Sequence, residues 1–160
     1  MNISTIGTII KKERESCGLT QAALAAVSHV SRVTIVNLEN GKVGDIGAIK
    51  LSELAKNVGI SLFSMEKKDF IKMTLVNINT SYKQVMTKSD LEKFMLSGKI
   101  QPGLEGQVLH LIDETPTSLI TGTVKQLAAS TNIKAKTIWK NLAKVAADIK
   151  SPNTFWNSVG

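Results

Sequence analysis

Leu19-Thr20-Gln21-Ala22-Ala23-Leu24-Ala25, then Val30-Ser31-Arg32-Val33-Thr34-Ile35, then Leu38-Glu39-Asn40-Gly41-Lys42 is the stretch on which the reading of this chain turns. Thr20 and Ser31 each stand just before a run with helical apolar spacing. A hydroxyl there can accept hydrogen bonds from the unpaired N–H groups of a helix's first turn. Gly41 follows the second run as a stop, and Gly18 suits the left-handed position past the end of an earlier helix. The pattern predicts a short helix from Thr20, a turn, and a second helix from Arg32 to about Asn40.

Working outward, Ser4 or Thr5 can cap a first helix, with Ile6, Ile10 and Cys17 at helical spacing. Asp45 can cap a fourth, burying Ile49, Leu51, Leu54, Ala55 and Val58 and closing at Gly59. A further apolar turn is expected from Ser61 through Leu62, Phe63 and Met65.

In turn, cap, apolar positions and the closing Leu38-Glu39-Asn40-Gly41, the segment from Ile6 to Leu62 resembles the Cro-repressor (XRE) family of helix-turn-helix regulators. The resemblance implies a small residue at Ala25, where two helices cross, and core positions for Val30, Ile35 and Leu38. It implies that Arg32 to Glu39 is the recognition helix entering the major groove. Arg32, Val33 and Asn37 match base-reading positions. Arginine can grip the O6 and N7 edge of guanine, valine can touch a thymine methyl, and asparagine can pair with adenine or reach a phosphate. Gln21, Thr34, Asn40 and Lys42 match phosphate-contacting positions, with Thr34 ambiguous between phosphate and packing. Arg14 matches a first-helix arginine that pairs with the glutamate at Glu39, as a structural ion pair. The chain departs from the pattern at His29, where glycine is usual because φ is positive; histidine enters that region more readily than most residues.

The second half is less legible. Phe70 to about Val85 is too apolar for a free linker, and packs as a helix or irregular arm, with a dimer contact as one use. Thr87 or Ser89 can cap a helix ended by Gly98, and Pro102 suits the start of another that buries Leu104, Val108, Leu109 and Ile112. Pro116 and Gly122 interrupt the pattern. Val124, Leu127, Ala128, Asn132, Ile133, Thr137, Ile138 and Leu142 then repeat the helix-turn-helix spacing, with Asn132 in the place of His29. This unit weakly resembles a winged-helix domain, without a convincing hairpin after Ile149. Lys134, Lys136, Lys140 and Lys144 lie along one side of a predicted Lys134–Asp148 helix. With Trp139 they form a candidate second face for nucleic acid or a partner, unless they are simply solvated. Phe155 and Trp156 can anchor the tail to this core or to another subunit. The expected organisation is all-α: a DNA-binding domain over 1–66, a packed connecting segment over 67–85, and a helical C-terminal domain over 86–160.

The 160 residues carry a net charge of +7, which favours polyanionic partners. Residues 1–75 hold ten basic and seven acidic side chains, or +3, and residues 76–160 hold ten and six, or +4, so no single basic tail carries the charge. Arg14 and Arg32 are the only arginines. With Cys17, His29 and His110 as the sole thiol and imidazoles, no metal site is expected. His110 and the Asp113-Glu114 pair read as structural or solvated, no phosphate loop or nucleophile elbow occurs, and neither an enzyme nor a cofactor is expected. No secretion signal or membrane span is read, so the expected location is the cytoplasm. The leading reading is a dimeric repressor on a pseudo-palindromic double-stranded operator. The alternative is an antitoxin whose C-terminal half binds a toxin, with Trp139 or Phe155-Trp156 as anchors; a small-molecule sensor has no polar constellation behind it.

Overall fold

A computed structural model describes residues 3–60 and 68–159. Among them are nine α-helices and no strand: α1 Ile3–Ser16, α2 Gln21–Val27, α3 Arg32–Glu39, α4 Ala48–Asn57, α5 Phe70–Ile78, α6 Lys88–Ser97, α7 Glu105–Asp113, α8 Thr117–Ser130 and α9 Ala135–Asp148. A 3-10 turn, Thr154–Ser158, follows. The chain is all-α, as its punctuation predicts, and no wing stands beside α8 and α9 among the described residues. The apolar turn expected from Ser61 lies outside them.

Two apolar cores form. Ile10, Leu24, Ala25, Ile35, Leu38, Ile46, Leu54 and Val58 join α1 to α4. The larger core gathers α5 to α9 and the 3-10 turn, and it also takes in Cys17, Leu19 and Ala23 from the first half. Val27 packs against both. One side of α2 therefore belongs to the smaller core, and its back is covered by the end of the chain.

Polar locks fix the crossings. The Thr74 and Thr123 hydroxyls lie 2.9 Å apart in the α5–α8 contact, and the Thr123 hydroxyl donates to the Phe70 carbonyl at 3.1 Å. Asn79 brackets Met86, accepting its N–H at 2.8 Å and donating to its carbonyl at 3.0 Å. Thr87 and Asp90 form a reciprocal capping box at the start of α6.

Several expectations are corrected. Asp45 does not cap α4; its carboxylate accepts the Gly47 N–H at 2.9 Å in a tight turn, and Gly47 becomes the cap residue. Ile49 ends 83% exposed: at 3.6 residues per turn it lies about 140° around α4 from Leu54, off the buried side. Pro102 stands three residues before α7, whose buried side omits Leu109, 48% exposed. Gly122 interrupts nothing: it lies inside α8, where a Cβ would come within 2.2 Å of Cδ1 of Phe70. Among the described residues, positive φ outside glycine occurs at His29 and Lys150, not at Asn132. The apolar run from Phe70, expected to pack as a helix or an irregular arm, does so as a core helix, α5.

Candidate nucleic-acid interface

The geometry of α2 and α3 follows from their caps. The Thr20 hydroxyl accepts the Ala23 N–H at 3.0 Å, and the Ser31 hydroxyl accepts the Thr34 N–H at 3.0 Å. Between the helices the chain turns at His29 with φ of 52°. The Val30 N–H donates to the Ala25 carbonyl at 3.1 Å, closing the turn. Ala25, 5% exposed, lets the two helices meet, while Ile35 and Leu38 are fully buried. Val30 is half-buried against the same core.

With that face inside, the opposite face of α3 is open. Arg32 is exposed and makes no hydrogen bond or ion pair among the described residues. Val33 beside it is 67% exposed, and Asn37, one turn on, is half-buried. The three thus share a rim of α3: a guanidinium with its donors free, a methyl surface and a carboxamide. The Thr34 hydroxyl sits 2.9 Å from that of Ser31, so it is partly engaged in the cap. Asn40 and Lys42 are exposed in the loop after the helix, where the Lys42 N–H donates to the Asn37 carbonyl at 2.8 Å.

Behind α3 lies the ion pair. Arg14 Nε donates to Glu39 Oε1 at 2.6 Å and Nη2 to Oε2 at 3.0 Å, a two-pronged pair with both side chains buried. Nη1 donates to the Leu19 carbonyl at 2.8 Å, tying the α1–α2 turn into the same knot. The hydrogen bond to Glu39 holds the Arg14 guanidinium above its ordinary pKa, against the lowering effect of burial. Gln21 is bound into this group, its Nε2 donating to Glu39 Oε2 at 2.9 Å. Its carboxamide is therefore held in place by the pair.

Sequence reasoning did not single out Lys50. It lines a groove of about 390 Å³ at the start of α3, together with His29, Ser31, Thr34 and Asp45. The signal was hidden by the misplaced cap: from Gly47, Lys50 falls in the first turn of α4, next to the start of α3.

Residues 10–63 match the family model described as helix-turn-helix. This segment is a helix-turn-helix domain of the Cro and phage-repressor type. No curated protein and no solved structure matches the chain. The helix-turn-helix family is one of DNA-binding transcription regulators and not of enzymes. Among the described residues no cluster of metal-ligating side chains occurs, and no helix is long and apolar enough to cross a membrane.

The second face expected around α9 is divided. Lys134, Lys136, Lys140 and Lys144 are all exposed. Trp139, expected among them, is instead fully buried, and its indole N–H donates to the Cys17 carbonyl at 2.7 Å. A ring of that size on the apolar side of α9 goes inside because its one polar atom finds a partner there. Phe155 and Trp156 pack against it, with ring centroids 5.8 and 6.2 Å from that of Trp139. The tail is thus anchored to the chain's own core.

Proposed function

We propose that the chain is a sequence-specific repressor that reads the major groove with α3 and occupies a pseudo-palindromic operator as a homodimer. The observation that carries this is the rim of Arg32, Val33 and Asn37, left open on a helix whose other face is locked by Arg14, Glu39 and the smaller core. Arg32 supplies two parallel donors for a guanine edge, worth ~1–3 kcal/mol of discrimination. Val33 meets a thymine methyl, and Asn37 pairs with adenine or a phosphate. Asn40 and Lys42 hold the backbone beyond the helix, while Gln21 and Thr34 hold it at the helix starts. A single domain reads few base pairs, so two half-sites about one helical turn apart are needed for useful affinity.

The antitoxin reading would need a toxin-binding surface. The aromatic side chains expected to supply one are packed inside the chain, so the repressor is the reading carried forward.

A footprint on the protein's own promoter at several salt concentrations tests this. Two-fold symmetric protection is expected. Arg32→Ala is expected to weaken specific binding ~5- to 150-fold, the equivalent of ~1–3 kcal/mol, without lowering the melting temperature. Protection with no sequence preference that vanishes with salt, or an Arg32→Ala variant with unchanged base preference, would sink the proposal.

A further inference from the structure

The start of α9 is fastened to the turn that leads into α2. At Gly18, φ is +69° and a Cβ would lie 2.9 Å from Ala135 Cβ and 3.0 Å from Lys136 N. Two residues on, the Thr20 hydroxyl donates to the Ser158 carbonyl at 3.3 Å. The buried bond from Trp139 to the Cys17 carbonyl lies at the same joint. The other end of α2 is held elsewhere, by Asn57 Nδ2 donating to the Val27 carbonyl at 3.2 Å and to Ser28 Oγ at 3.1 Å. α9 is thus docked at the end of α2 that carries Gln21.

Between the end of α1 and the α8–α9 turn lies a groove of about 420 Å³, lined by Glu15, Gly18, Asn132, Lys134 and Lys136 among others. Both lysines are exposed, with no ion-pair partner among the described residues. Glu15, the acid that shares the groove with them, is drawn to Arg14 Nη2 at 3.4 Å. Residues 131–150 hold five lysines against Asp148 alone. Lys136, Lys140 and Lys144 recur at a spacing of four along α9, opposite its buried positions.

We propose that Lys134 and Lys136 bind backbone phosphates flanking the half-site read by α3, so that the C-terminal half lengthens the DNA interface. This rests on the reading of α3 as the recognition helix. The occupant is DNA rather than an acidic protein because the lysines are continuous, through Gly18 and Thr20, with the start of α2, which crosses the phosphate backbone in this mode of docking. Their charge complements that backbone, and the docking of α9 fixes the points from which their flexible stems reach. Sequence-independent phosphate contacts of this kind set affinity and register without changing which bases are read.

The test measures binding of the full chain to its operator across a salt series, for wild type, Lys134→Gln/Lys136→Gln and Lys56→Gln. Lys134 makes no side-chain cap bond and Lys136 is exposed, so the double variant is expected to keep the wild-type melting temperature. Its slope of log affinity against log salt should flatten by about 0.9 for each phosphate that is no longer neutralised, with base preference unchanged. Lys56 lies at the far end of α4, beside the Asn57 that holds the other end of α2, and should keep the wild-type slope. An unchanged slope in the double variant overturns the inference and leaves the lysine face to an acidic protein partner. Equal flattening by Lys56→Gln also overturns it, because net charge alone would then be at work. If wild type shows no Arg32-dependent base preference, the reading of α3 fails instead and takes this inference with it.

Discussion

At the scale of single residues, the two arginines stand in opposite settings. Arg32 lies open with its donors free, whereas Arg14 commits its own to Glu39 and the Leu19 carbonyl. Their rarity in the chain drew attention to both, and the pairing of Arg14 with Glu39 matches the position that the resemblance gave it. The part played by Gln21 was not legible: a polar residue after a cap reads as exposed, and only the fold brings its amide to Glu39. Arg14→Ala leaves the Glu39 carboxylate buried with Gln21 as its remaining donor. The expected cost is ~3–5 kcal/mol, seen as a large drop in denaturant midpoint. A loss under ~1 kcal/mol would mean that water reaches the pair.

At the scale of elements, caps and turns decided what could be read in advance. Thr20 and Ser31 were clear because each hydroxyl serves its own helix start, a local event. Asp45 misled because its carboxylate has two local options, and the turn to Gly47 won over the helix cap. Asn132 misled for a related reason. The α8–α9 connection imitates the spacing of the α2–α3 turn, yet it passes into α9 through extended backbone at Thr131 and Lys134. His29 does occupy the left-handed region, at a cost that glycine would not carry. His29→Gly should therefore keep stability or raise it by up to ~1 kcal/mol, since relief of strain outweighs the added freedom of the unfolded chain. A fall of more than ~1 kcal/mol in chemical denaturation would show that the imidazole contributes more than its backbone costs.

At the scale of the whole molecule, the two halves are not beads on a string. Cys17, Leu19 and Ala23 belong to the core built mostly from α5 to α9, and the 3-10 turn covers the back of α2. None of this was readable from spacing, because periodicity tells which face of a helix is buried but not against what. Trp139→Ala should cost ~3–5 kcal/mol, from the lost ring and the stranded Cys17 carbonyl. Hydrogen exchange should quicken in α2 as well as in α9; full protection of α2 in that variant would show that the halves fold independently. The bond between Thr20 and Ser158 spans 138 positions of the sequence. Closing so long a loop costs chain entropy, so the contact is expected to form after the local helices of the first half. During synthesis, α1 to α4 leave the ribosome well before residues 154–159, with Leu19 and Ala23 still uncovered. In a nascent chain the back of α2 therefore waits for the turn at residues 154–158, an order of assembly written into where that turn packs.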